Sequence, residues 1–126
     1  MTFKEVATMI SGIGLPFAYY QFPEGTAQKT PFICYFYSGN NDVLADDSNY
    51  QKIEHLNIEL YSDEKDFDSE AAIESALTSA GLVWSREETY IDDERLYMVL
   101  YEMDAVITPA SESASLQEEI NNGEQN

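Results

Sequence analysis

The stretch Leu56-Asn57-Ile58-Glu59-Leu60-Tyr61-Ser62-Asp63-Glu64-Lys65-Asp66 changes its chemical period once, and the architecture follows from that change. Leu56, Ile58 and Leu60 alternate with Asn57 and Glu59, the period of a strand with one buried face. The run Ser62-Asp63-Glu64-Lys65-Asp66 interrupts the alternation and ends the strand. Beyond it, Ile73, Ala76, Leu77 and Ala80 recur at helical spacing. Asp66 or Asp68 stands ready to accept from the first free amides, and Gly81 is placed to stop the helix. A half-buried strand that runs into an amphipathic helix implies a sheet with a helix against one of its faces.

Working toward the N-terminus, the same strand extends back to Tyr50, and Ile53 falls on the opposite parity, which predicts a bulge or bend near Glu54-His55. Gly39-Asn40-Asn41-Asp42 supplies residues tolerant of positive φ, so a turn precedes it, and Phe32 to Ser38 reads as the partner strand. An aromatic run from Phe17 to Phe22 predicts another strand before the loop that ends at Pro31. The chain opens on a short helix: Thr2 and Glu5 match a capping box, Phe3, Val6, Ala7 and Ile10 form its apolar stripe, and Gly12 and Gly14 stop it. Toward the C-terminus, Leu82 to Ile91 and Arg95 to Ile107 read as antiparallel neighbours joined by Asp92-Asp93-Glu94. The order α-β-β-β-α-β-β gives an α+β fold, a mixed or antiparallel sheet of about five strands with two flanking helices.

With 126 residues, 44% of them apolar and 13% aromatic, the chain holds one core. That core belongs to residues 1–108. After Thr108 the only large apolar residues are Leu116 and Ile120, too few to offset the entropy of ordering, so 109–126 reads as a disordered acidic tail. Six basic residues oppose 24 acidic ones for a net charge of −18. The tail holds Glu112, Glu118, Glu119 and Glu124. The first 108 residues therefore keep 20 acidic and six basic side chains, hence −14. Such a surface repels bare nucleic acid and anionic lipid. The single cysteine, Cys34, cannot close an intramolecular disulfide and sits in an apolar string. No stretch approaches the roughly 18 apolar residues of a membrane span and no signal segment is apparent, which predicts a soluble protein of a reducing compartment.

Catalytic and metal chemistry finds little support. Asp66, Asp68 and Glu70 alternate as in a calcium loop, but Ala71 stands where that loop needs glycine and Leu77 where it needs glutamate. These acids instead suit the positive end of a helix. One histidine and one cysteine cannot assemble a conventional zinc site. His55 lies mid-strand with no nucleophile nearby in sequence, and Gly12-Ile13-Gly14 lacks the lysine and preceding strand of a phosphate loop. No enzyme, cofactor or metal site is expected.

Several strands are apolar on both parities. In the last one, Leu96, Met98 and Leu100 occupy one side and Tyr97, Val99, Tyr101 and Met103 the other. Two short helices cover one face of such a sheet, so the second face is closed by loops, by curling or by another chain; amphipathic tyrosines there would suit a protein interface, and an oligomer is expected. Acidic residues gather in turns, among them Asp42, Asp46 and Asp47 after the second strand, as solvated loops usually do; in a ring one such cluster could line a channel.

Five strings carry a resemblance: Leu15-Pro16-Phe17-Ala18-Tyr19-Tyr20, Pro31-Phe32-Ile33-Cys34-Tyr35, Ile58 through Asp66, Glu88-Thr89-Tyr90-Ile91 and Arg95-Leu96-Tyr97. Together with the element order, they make residues 1–108 resemble the small tail-terminator proteins (tail completion, head-to-tail joining) of long non-contractile-tailed phages and prophages of Gram-positive bacteria. The resemblance implies a homo-oligomer, a hexameric ring on the head-proximal end of the tail tube. Its partners would be the major tail tube protein and the head completion or connector protein, with genomic DNA only passing through the lumen and no membrane involved. It implies assembly in the host cytoplasm, a place at the head-tail junction of the virion, and no catalytic residues; on that resemblance Asp42, Asp46 and Asp47 are the candidate lumen-facing or partner-facing charges and Tyr97 and Tyr101 the candidate subunit contacts. A head-completion adaptor and an acidic DNA-mimic inhibitor of a DNA-binding enzyme are the alternatives.

Overall fold

The computed structural model describes residues 1–23, 28–40, 43–45 and 48–108. Its elements run α1 (Phe3–Ser11), β1 (Phe17–Tyr19), β2 (Phe32–Asn40), β3 (Val43–Ala45), β4 (Ser48–Ser62), α2 (Phe67–Ser79), β5 (Trp84–Ile91) and β6 (Leu96–Ile107). Five strands lie side by side in the order β1-β2-β4-β6-β5, and the short β3 pairs with the start of β4. β1 runs parallel to β2 and every other pairing is antiparallel, so the chain forms the α+β fold with a mixed sheet.

Both helices begin as their sequences require. Thr2 accepts from the Glu5 amide through its hydroxyl while Glu5 Oε1 accepts from the Thr2 amide at 2.9 Å, a complete capping box. Asp66 caps α2: its Oδ1 accepts from the Ser69 amide at 3.0 Å and its Oδ2 from the Ser69 hydroxyl at 2.7 Å. At the end of α2, Gly81 takes a φ of +75°, open to glycine at little cost.

The cross-strand register sorts the side chains into two layers. Leu56, Ile58 and Leu60 of β4 stand opposite Met103, Tyr101 and Val99 of β6, and Leu60 also stands opposite Ile33 of β2. All are buried, and with Val6 and Ile10 of α1 and Ile73 and Leu77 of α2 they form one core on one side of the sheet. Each such side chain contributes roughly 1.5–3 kcal/mol when withdrawn from water. The N-terminus closes this layer, since the Thr108 amide donates to the Met1 carbonyl and the Met1 ammonium donates to the Val106 carbonyl at 3.1 Å.

Three local expectations are corrected. The strand expected over Phe17–Phe22 stops at Tyr19, because Tyr20 turns into the left-handed region (φ +70°), from which its amide donates to the Tyr35 carbonyl. The irregularity expected in the strand near Glu54-His55 is carried by its partner: β4 pairs with β6 without a break from Lys52 to Ser62, while the β2 register slips between Tyr37 and Gly39. Ile53 differs in parity simply because it faces away from the helices. Tyr101, expected on the face that awaits a partner, lies fully buried beneath the helices, so it is not a surface contact in this protomer. The tail assigned to 109–126 lies outside the described residues.

Candidate functional site

The face of the sheet opposite the helices carries no covering element among the described residues. Rows of cross-strand neighbours define its chemistry. At one end Phe32, Tyr61, Met98 and Thr89 stand in line across β2, β4, β6 and β5; the next row is Cys34, Glu59, Leu100 and Glu87. The third is Phe36, Asn57, Glu102 and Ser85, and beyond it His55 stands opposite Asp104. The face therefore grades from aromatic to polar along the strands.

Its apolar end is built of rings. Phe32 stacks on Tyr61 with centroids 5.1 Å apart, Phe22 meets Phe32 edge-on at 5.3 Å, and Tyr20 lies 5.4 Å from Phe36. Phe32, Phe36, Tyr61, Met98 and Leu100 are all half-buried, partly by one another and partly by Tyr20 and Phe22 of the segment after β1, with no helix or strand over them among the described residues. Tyr20, at 64% exposure, extends the patch at the β1 edge. Aromatic rings of this kind supply large contact area at low side-chain entropy.

Polar groups adjoin these rings. The Tyr61 hydroxyl donates to Glu59 Oε1 at 3.1 Å, and burial raises the Glu59 carboxyl above its usual range despite that bond. Burial, assisted by the Glu59 charge, pushes the Cys34 thiol up to about 11, so it is an unreactive neutral side chain at ordinary pH. Asn57, almost fully buried, donates to the Ser38 hydroxyl at 2.8 Å. His55 sits between two carboxylates of β6, with Nδ1 3.2 Å from Asp104 Oδ1 and Nε2 3.2 Å from Glu102 Oε1. These bonds, Asp104 first, raise the His55 pKa above the ordinary imidazole value. The three side chains line an open groove of about 720 Å³ together with Gly39, Asn40, Val83 and Trp84.

On the opposite face a second charged network joins α2 to β5. Arg86 Nη1 donates to Glu74 Oε2 at 2.9 Å, and the Tyr101 hydroxyl donates to the same oxygen at 2.9 Å. Lys65 donates to the buried Glu70 at 2.9 Å and pairs with Glu88. Burial and the Glu74 carboxylate hold the Tyr101 phenol well above its ordinary range. This network anchors an edge strand whose inward residues are charged, and its geometry is that of a brace.

The candidate residues from the sequence are distributed unevenly. Asp42, Asp46 and Asp47 lie outside the described residues. Tyr97 is half-buried at the β5–β6 end of the helix side, its ring 5.0 Å from Tyr90, and Tyr101 belongs to the core. The structure does not bring the two tyrosines together on an open surface. Sequence reasoning missed Glu102 and Asp104, whose signal was present as two acids at alternate positions of an otherwise apolar strand. Among the described residues no group of three or more His, Cys, Asp and Glu side chains is arranged to hold a metal ion, and no helix is long and apolar enough to cross a membrane. No family model matches the chain, and no curated protein is significantly similar to it.

Proposed function

We propose that this chain is a tail-terminator-like structural protein, without catalytic activity, that assembles into a ring of identical subunits at the head-proximal end of a phage tail tube. The observation that carries the reading is the open sheet face, where Phe32, Phe36, Tyr61, Met98 and Leu100 stand half-buried with no second layer over them among the described residues. A sheet this apolar on its uncovered side gains by burying it against protein. The resemblance of residues 1–108 to tail terminators supplies the identity of that protein, a neighbouring copy or the tube. The net charge of −18 supports it too, because an acidic ring repels the DNA that passes through it and lowers friction. Stopping a tube and joining it to a head requires matched surfaces, and an open sheet face rich in aromatic rings suits that requirement.

The decisive experiment is electron microscopy of particles made when the reading frame is deleted from its genome. Overlong tubes, or finished heads lying apart from tails, are the expected result. Normal particles overturn the reading and leave the DNA-mimic alternative, which competition with DNA for a purified nuclease then tests. With the purified protein, light scattering should find a ring-sized oligomer, and Phe32→Ser/Met98→Ser should reduce it to monomer while leaving the fold intact by circular dichroism. Charge reversal at Asp42, Asp46 and Asp47 should leave oligomerisation unchanged and impair joining or DNA passage.

A further inference from the structure

We propose that His55 is an imidazolium clamp that ties β4 to β6 on the open face and releases as the pH rises. Both ring nitrogens of His55 meet a carboxylate. Nδ1 faces Asp104 and Nε2 faces Glu102, both at 3.2 Å. An ionised carboxylate only accepts, and a neutral imidazole carries one N–H, so both contacts are hydrogen bonds at once only when the ring holds two protons. The geometry is therefore that of a charged histidine.

The surroundings favour the same state. From β6 the facing groups are Glu102 and Asp104, and from β2 the positions beside His55 are Ser38, Gly39 and Asn40, none of which titrates. From β5 the same face carries Ser85 next to Glu102 and then Glu87; along β4 it carries Ile53, Asn57 and Glu59. Among the described residues, every ionisable group facing the ring is thus acidic, and both helices lie on the other side of the sheet. The site is partly open to solvent: the imidazole and Glu102 are 36% and 33% exposed and Asp104 is 54% exposed, so the clamp rests on the ring being bracketed by two acids and not on burial.

Loss of the proton has a defined result. One contact keeps its N–H, the other becomes a lone pair facing a carboxylate, and two negative charges at alternate positions of β6 lose the cation between them. The groove lined by Gly39, Asn40, His55, Glu102 and Asp104 then gains a negative charge at its edge. Because the folded ring binds its proton more tightly than the unfolded chain, the stabilisation is complete below the unfolded pKa near 6.5 and vanishes as pH climbs through the raised folded value.

His55 is the chain's single histidine, so its ring proton is an unambiguous signal in a nuclear magnetic resonance titration of the full-length protein. The expected midpoint lies above 6.5, falls in Glu102→Gln and in Asp104→Asn, and returns to 6.5 or lower in the double variant. The urea midpoint of the wild type should decline as the pH rises above 6.5 and through the raised folded value, and His55→Gln should lose that decline. A wild-type midpoint at or below 6.5, a midpoint unmoved by either carboxylate substitution, or a pH slope unchanged in His55→Gln would overturn the clamp. The wild-type titration decides even if a variant fails to fold.

Discussion

The two faces of one sheet meet opposite fates here although the same strands supply both. On the helix side, Leu56, Ile58, Leu60, Val99 and Tyr101 are sealed beneath α1 and α2, with exposures of 0–1%. On the other side, their immediate neighbours Asn57, Glu59, Tyr61, Met98 and Leu100 make a patchwork of rings, acids and an amide, mostly half-buried. Neighbours on one strand differ by a single pleat, so the contrast comes from what lies above each face and not from where a residue stands in the chain. The face beneath the helices is apolar at its centre and admits charge only where partners meet it, as Glu70 and Glu74 meet Lys65 and Arg86 toward the β5 edge. The open face mixes carboxylates with its aromatics, which keeps it compatible with water where nothing among the described residues covers it.

The contrast is broken most severely by core truncation. Ile58→Ala, at a fully buried position, should cost about 2–5 kcal/mol in urea denaturation. Met98→Ala on the open face should cost about 1 kcal/mol in a dilute monomer. Equal costs would mean that the open face is already covered in solution, and the measurement repeated across protein concentration would reveal that cover as an oligomer.

Cys34 sharpens the comparison, since it belongs to the open face by register yet is only 6% exposed. With its pKa near 11, the folded protein should show about a hundredfold less thiolate at neutral pH than an ordinary thiol. Alkylation by iodoacetamide should therefore still accelerate between pH 9 and 10 in the native state, and level off earlier in urea. Fast native alkylation at pH 7 would show that the aromatic rings do not shield the face.

Smaller effects probe the covered side. Tyr101→Phe keeps the ring in the core and removes the hydroxyl that donates to Glu74, so about 1 kcal/mol should be lost, Arg86 continuing to satisfy the carboxylate. Thr2→Ala removes the acceptor of the α1 cap and should cost about 1 kcal/mol or slightly less, read from the same denaturation curves.

Much of this architecture was readable in advance because it is local. The Thr2–Glu5 box, the Asp66 cap, Gly81, and the alternation of Leu56, Ile58 and Leu60 each depend on residues within a few positions of one another, and each appears where its chemistry requires. Tyr101 was misplaced for a related reason. A strand apolar on both parities, as β6 is from Leu96 to Met103, carries no mark of which parity faces the helices, and the tie is broken by register with β4. The shortness of β1 was equally illegible, since aromatic residues favour strands and nothing in Tyr19-Tyr20-Gln21 announces the left-handed turn at Tyr20.

The pairing of His55 with Glu102 and Asp104 marks the boundary between the two kinds of information. Amino-acid order alone determined the two helices, the long strands and their sequence, the single core and the strong acidity, though not the short β3 or the end of β1, because hydrophobic period, capping and charge are properties of short segments and sums. Which face is covered, which strand carries the irregularity, and which acids come to lie against the only imidazole were decided by tertiary structure. Those outcomes depend on the register between strands 47 to 49 residues apart in the chain, and only the joint packing of β2, β4 and β6 against two helices selects one register from the many that local preference allows.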